Sequence, residues 1–180
     1  MQRKARSEKG FTTMELLVVV GVLAILGGLS VPLMSSALQR VQANGAADAL
    51  ATAIRDARMR AIATGWQYRM VAFDASGAVP NAFRVEGSDT GAVWPAVGTA
   101  TGPPVYGSTQ MNEAYSSMVQ DYGGSQIAIP AGGPTFTVTF DSRGQWVSCV
   151  PVGCQIQTRN SQGGNVNTLM VSQAGAVAMN

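Results

Sequence analysis

The chain opens with a short polar stretch and then runs from Leu16 to Gln39, 24 positions, without a single Asp, Glu, Lys or Arg. At roughly 1.5 Å per residue, a helix of that length spans the ~30 Å hydrocarbon layer of a bilayer. The apolar positions do not stop there. Leu33, Ala37, Leu38 and Val41, then Leu50, Ile54, Ala57, Ala61 and Ile62, recur at spacings near three and four, which predicts one long helix, apolar all round at its start and amphipathic from residue 40 onward. Pro32 removes one i to i−4 hydrogen bond and predicts a kink or a locally unwound turn. Gly21, Gly27 and Gly28 precede it and permit close helix approach. Gly65 suits the C-terminal cap.

After Gly65 the period changes from 3.6 to 2. Trp66, Tyr68, Met70 and Ala72 alternate with Gln67, Arg69 and Val71, the pattern of a half-buried strand. Further strands are expected at 82–86, 125–129, 135–141, 145–150, 155–159, 168–172 and 176–179. Turn signals separate them: Asp74-Ala-Ser-Gly77, Ala131-Gly-Gly-Pro134, Asp141-Ser-Arg-Gly144 and Ser161-Gln-Gly-Gly164. Thr135 to Phe140, the Asp-Ser-Arg-Gly turn, then Gln145 to Ser148 is the clearest hairpin. Residues 87–124, rich in Gly, Pro, Ser and Thr, read as a long surface insertion. The expected fold is α+β, a long N-terminal helix packed on a mostly antiparallel sheet.

Charge refines the picture at the N-terminus. The formal net charge is +2, but Arg3, Lys4, Arg6 and Lys9 all precede the apolar run, and residues 11–180 keep 8 basic and 9 acidic side chains. That body has no general electrostatic reason to bind nucleic acid. The basic leader holds the N-terminus in the cytoplasm and sends the remainder across the membrane. Ser36 and Ala37 offer small residues for signal-peptide cleavage, whereas the helical pattern continuing past Pro32 argues for a retained anchor.

Candidate chemistry is sparse. With no His, the chain lacks the commonest general base and metal ligand, and it has no Gly-x-Ser-x-Gly nucleophile motif, phosphate loop or paired carboxylates. No enzyme activity, cofactor or metal is expected. Cys149 and Cys154 are too few for a zinc site; facing an oxidising compartment they would form a short-loop disulfide, and otherwise they would be core thiols. Arg55, Arg58 and Arg60 read as a solvated helix face paired with Asp56. Glu15, alone at the edge of the uncharged run, is the one anomaly: a carboxylate there suits the first turn of a helix but is costly to bury without a partner.

The stretch Lys9-Gly-Phe-Thr-Thr-Met-Glu-Leu-Leu17 resembles the class III signal of type IV pilins and type II secretion pseudopilins. The resemblance implies a leader of residues 1–10, cleavage after Gly10 by a prepilin peptidase, N-methylation of Phe11, and pairing of Glu15 with the N-terminal amine of a neighbouring subunit. Pro32 matches a proline common in this part of pilin helices. It implies segments 11–39 (transmembrane and assembly helix), 40–65 (its amphipathic continuation) and 66–180 (exported β-rich body). Within the family, Ala57-Arg58-Met-Arg-Ala61-Ile62, Phe140-Asp-Ser-Arg-Gly144 and Val171-Ser-Gln-Ala-Gly175 are similar to segments of the GspH/FimT-like minor subunits. The implied function is that of a minor pilin or pseudopilin in a type II secretion pseudopilus or a type IV pilus. Its implied partners are other subunits, the peptidase and an inner-membrane assembly platform. The implied location is the bacterial inner membrane, then a periplasmic or cell-surface filament. The alternative is a filament-borne DNA-binding subunit using Arg143 and Arg159. Gly175-Ala-Val-Ala178, where competence-type members carry arginines, has none.

Overall fold

The computed structural model describes residues 11–89, 91, 94–95, 110–112, 114–164 and 166–180, with side chains at 29–33 and 110–112 excepted. A single α-helix, α1, runs from Thr13 to Thr64. The helix continues through Pro32, so of the kink or unwound turn expected there the unwinding is absent; the Pro32 side chain lies outside the described residues. The chain divides into two compact units, residues 1–38 and 39–180.

In the first unit, every described side chain from Phe11 to Gly28 is exposed. Among the described residues no helix is long and apolar enough to cross a membrane.

In the second unit, α1 buries a stripe of Ala43, Ala46, Ala47, Leu50, Ala51, Ile54, Ala57 and Ala61. The run of alanines lets the helix backbone lie close on the sheet, while Leu50 and Ile54 fill its centre. Three positions assigned to the stripe depart from it: Leu38, Val41 and Ile62 are all more than half exposed. The burial phase of α1 begins only at Ala43, where a sheet is available to cover it. Gly65 closes the helix with φ 77°, its N–H donating to the Ala61 carbonyl at 3.0 Å, the left-handed cap expected of glycine.

The strands are β1 (Gln67–Phe73), β2 (Ala82–Ser88), β3 (Gln110–Asn112), β4 (Ser116–Ser117), β5 (Gln126–Ala128), β6 (Thr135–Phe140), β7 (Trp146–Val150), β8 (Gln155–Arg159), β9 (Asn167–Val171) and β10 (Val177–Met179), with a short helix α2 (Met118–Asp121) after β4. Among the described residues they form two antiparallel sheets, one ordered β3-β2-β1-β6-β7 with β4 also paired to β2, the other β10-β9-β8-β5. Tyr68, Met70, Ala72, Phe83, Val85, Phe136, Val138 and Phe140 of the first sheet share one core with Ile127, Ile156 and Leu169 of the second and with α1. Asn81, held at φ 50°, links the sheets: its Oδ1 accepts from the Ile127 N–H at 3.0 Å and its carbonyl from Met118 N–H at 2.9 Å.

Two expectations change here. Strand β1 was expected to alternate, yet Val71 and Phe73 are as buried as Met70 and Ala72. The far face of the sheet is covered as well, by a residue of a segment read as surface insertion: the Tyr115 ring lies 6.0 Å from Phe73. Met118 of α2, from the same segment, is fully buried in the core shared with α1.

Arg58 departs from the solvated face assigned to it. Its Nε donates to the Gly144 carbonyl at 3.0 Å, and a Cβ at Gly175 would stand 2.8 Å from its side chain. The helix end is thereby fastened to two turns, 141–144 and 172–175, whose glycines have φ 76° and 73°. Gly175→Ala combines that crowding with a left-handed alanine and is expected to destabilise the body by about 1–3 kcal/mol. Urea unfolding with an unchanged m-value checks this; a midpoint equal to wild type contradicts it.

Candidate functional site

Helix α1 starts two residues after the Gly10–Phe11 bond. Gly10 itself lies outside the described residues. Phe11 is 86% exposed, and Thr12 has non-helical backbone immediately before the first turn. Thr12 and Glu15 form a reciprocal capping box. The Thr12 N–H and Thr12 hydroxyl both donate to Glu15 Oε2 at 3.0 Å, and the Glu15 N–H donates to Thr12 Oγ1 at 3.3 Å. Glu15 is therefore not a stranded charge: it satisfies a backbone donor that the helix start leaves open, and it faces the positive end of the helix dipole. The Thr-x-x-Glu spacing that announces this was present in the sequence. Beyond it, Leu16, Leu17, Val18, Val19, Val20, Val22 and Leu23 are each at least half exposed, a fully apolar helix surface that demands a cover of lipid or of other helices.

In the body, Cys149 and Cys154 are joined in a disulfide with Cα atoms 5.5 Å apart, closing the Val-Pro-Val-Gly loop between β7 and β8. The buried Cys154 also accepts from the Val171 N–H through its carbonyl at 3.1 Å, so the staple ties the end of the first sheet to β9 of the second.

The Asp141 turn is organised by its own carboxylate. Oδ1 accepts from the N–H groups of Arg143 and Gln145, both at 2.9 Å, and Oδ2 lies 3.2 Å from Arg143 Nε. Burial raises the Asp141 carboxyl, but those two backbone donors and the Arg143 guanidinium outweigh it and hold the group below its ordinary value. A lowered folded pKa means that the stabilisation is present above the ordinary value of about 3.9 and is lost as pH falls through the folded one. Hairpin amide protection in hydrogen exchange is accordingly expected to be flat from pH 7 to about 4 and to drop below it. Asp141→Asn, which retains the Oδ1 acceptor, should abolish the step, and an unchanged step would contradict the assignment. Arg143, a candidate for DNA contact, is thus engaged in its own turn, whereas Arg159 is exposed at the end of β8.

A cluster the sequence reading did not pick out lies on the far side of the first sheet. Glu86 and Arg69 are directly opposed across β1 and β2, and Arg84 lies two residues before Glu86 on the same face. Arg69 reaches Glu86 Oε2 at 2.6 Å, and Arg84 reaches Oε1 at 2.6 Å through its terminal nitrogen and 2.7 Å through Nε. The Glu86 side chain is 1% exposed and that of Arg84 is fully buried. Each guanidinium also carries an aromatic ring at 4.3 Å, Trp94 on Arg69 and Tyr115 on Arg84. No alternation signal marks this face, because what covers it comes from residues 94 and 115. Elsewhere on the helix, Asp56 pairs with Arg60 at 2.9 Å, as the sequence suggested.

Among the described residues no group of His, Cys, Asp and Glu could hold a metal ion. No family model and no curated protein matches the chain. Among solved structures it is similar to the type IV minor pilin FimU of Pseudomonas aeruginosa in two crystal forms. One, at 17% identity and a TM-score of 0.45, covers 76% of this chain and 91% of that one; the other, at 16% and 0.48, covers 78% and 90%. At that identity no residue role transfers. The positions described above therefore stand on this chain's own geometry.

Proposed function

We propose that this chain is a minor pilin or pseudopilin, a structural subunit and not an enzyme. In this reading a prepilin peptidase cuts between Gly10 and Phe11 and Phe11 is N-methylated. The chain is held in the inner membrane with its N-terminus in the cytoplasm, and an assembly platform draws it into a type II secretion pseudopilus or a type IV pilus. The observation that carries the reading is the start of α1: an exposed Phe11, a capped first turn containing Glu15, and then a helix surface made only of uncharged side chains. The peptidase needs an accessible bond ahead of the helix, and the exposed apolar surface needs a lipid or helical surround.

The body supports the same reading. Three segments that resemble the GspH/FimT-like branch, at the helix end and in the two glycine turns, converge on one point, where Arg58 meets Gly144 and Gly175. Sheared and purified filaments tested with an antibody to the β body address it: the subunit should be found along or at the end of filaments, in small amounts. Its confinement to the membrane fraction in a strain that makes filaments would contradict the proposal.

A further inference from the structure

We infer that Thr12 is a positioning residue for Glu15: its hydroxyl and amide hold the carboxylate on the chain's own helix start until the amine of another subunit takes it. The inference rests on the filament reading above. Removal of residues 1–10 would leave Thr12 as the second residue, with its amide and hydroxyl unaltered, so all three hydrogen bonds of the capping box survive cleavage. Glu15 would otherwise enter an apolar surround as a bare charge. The two Thr12 donors share one acceptor, Oε2, so that among the described residues Oε1 is left open for an incoming cation. The carboxylate is thus kept in place and oriented, with one face available, before any neighbour arrives.

The hydroxyl is the separable part, since proline, the substitution that removes the backbone N–H, also fixes the backbone at the helix start. Thr12→Ser retains it; Thr12→Val keeps the shape and deletes it. In the full-length chain, with the mature N-terminus read by mass spectrometry and incorporation read in purified filaments, Thr12→Val should be cleaved like wild type yet incorporated about fivefold less, the ratio corresponding to a lost N-cap. Thr12→Ser should match wild type in both. Glu15→Gln can still close the box but cannot pair with an amine, so it should lose incorporation while amide protection of the first helical turn, measured by hydrogen exchange in detergent, is retained; Thr12→Val should lose that protection. Normal incorporation of Thr12→Val, an equal loss with Thr12→Ser, or a loss traced to failed cleavage would each overturn the role of Thr12. An uncleaved wild-type chain would instead remove the filament reading itself.

Discussion

Glu86→Ala is expected to cost about 3–5 kcal/mol of body stability, because it removes the carboxylate that serves two arginines and leaves the fully buried Arg84 guanidinium without it. Against a total of about 5–15 kcal/mol for a typical domain, that places the variant near unfolding at 37 °C. The partner residues should differ. Arg69, with a side chain 19% exposed, can be replaced by Met at lower cost than Arg84, whose side chain has no contact with water. The cluster also holds the Trp94 ring over Arg69 and the Tyr115 ring over Arg84, so Trp94 fluorescence should shift towards that of an exposed indole in Arg69→Ala before the core strands are lost. Chemical unfolding of the three variants checks the order. Equal midpoints for Glu86→Ala and wild type would show that the pair contributes nothing.

The second large effect concerns assembly, not folding. Glu15→Ala removes both halves of the carboxylate's work, the capping box and the charge available to a neighbour's amine. Loss of the cap costs the helix about 1 kcal/mol. Loss of the charge should remove the variant from filaments altogether, a change well beyond what a frayed first turn produces. The second unit carries its own core, drawn from α1 beyond residue 43 and both sheets, so its circular dichroism and its Cys149–Cys154 disulfide should match wild type. Incorporation of Glu15→Ala at wild-type levels would contradict the assembly role.

Much of this was legible in the sequence. The order of elements followed from the change of period at Gly65 and from the Gly- and Asp-rich turns, and β8 fell on the residues expected for it. Positive φ at Gly65, Gly132, Gly133, Gly144 and Gly163 explains why those turns were so clear. The far face of the first sheet was not legible. Alternation along β1 and β2 tells which residues share a face but not which segment lies over that face; Trp94 and Tyr115 do so from within a stretch whose composition reads as loop. Arg58 was misread for a similar reason, since the carbonyl it serves is 86 residues away. At the candidate site the fault was different. Thr12-x-x-Glu15 is a local motif with a local meaning: the acid reads as suited to a first helical turn, but Thr12, three residues before it, completes the box and was overlooked.

Mass spectrometry of the N-terminus of the chain, isolated from its native membrane or filament, tests the central claim most directly. The account predicts a mature chain beginning with N-methylated Phe11 and lacking residues 1–10. A chain beginning at Met1, or cut at any other bond, would contradict it.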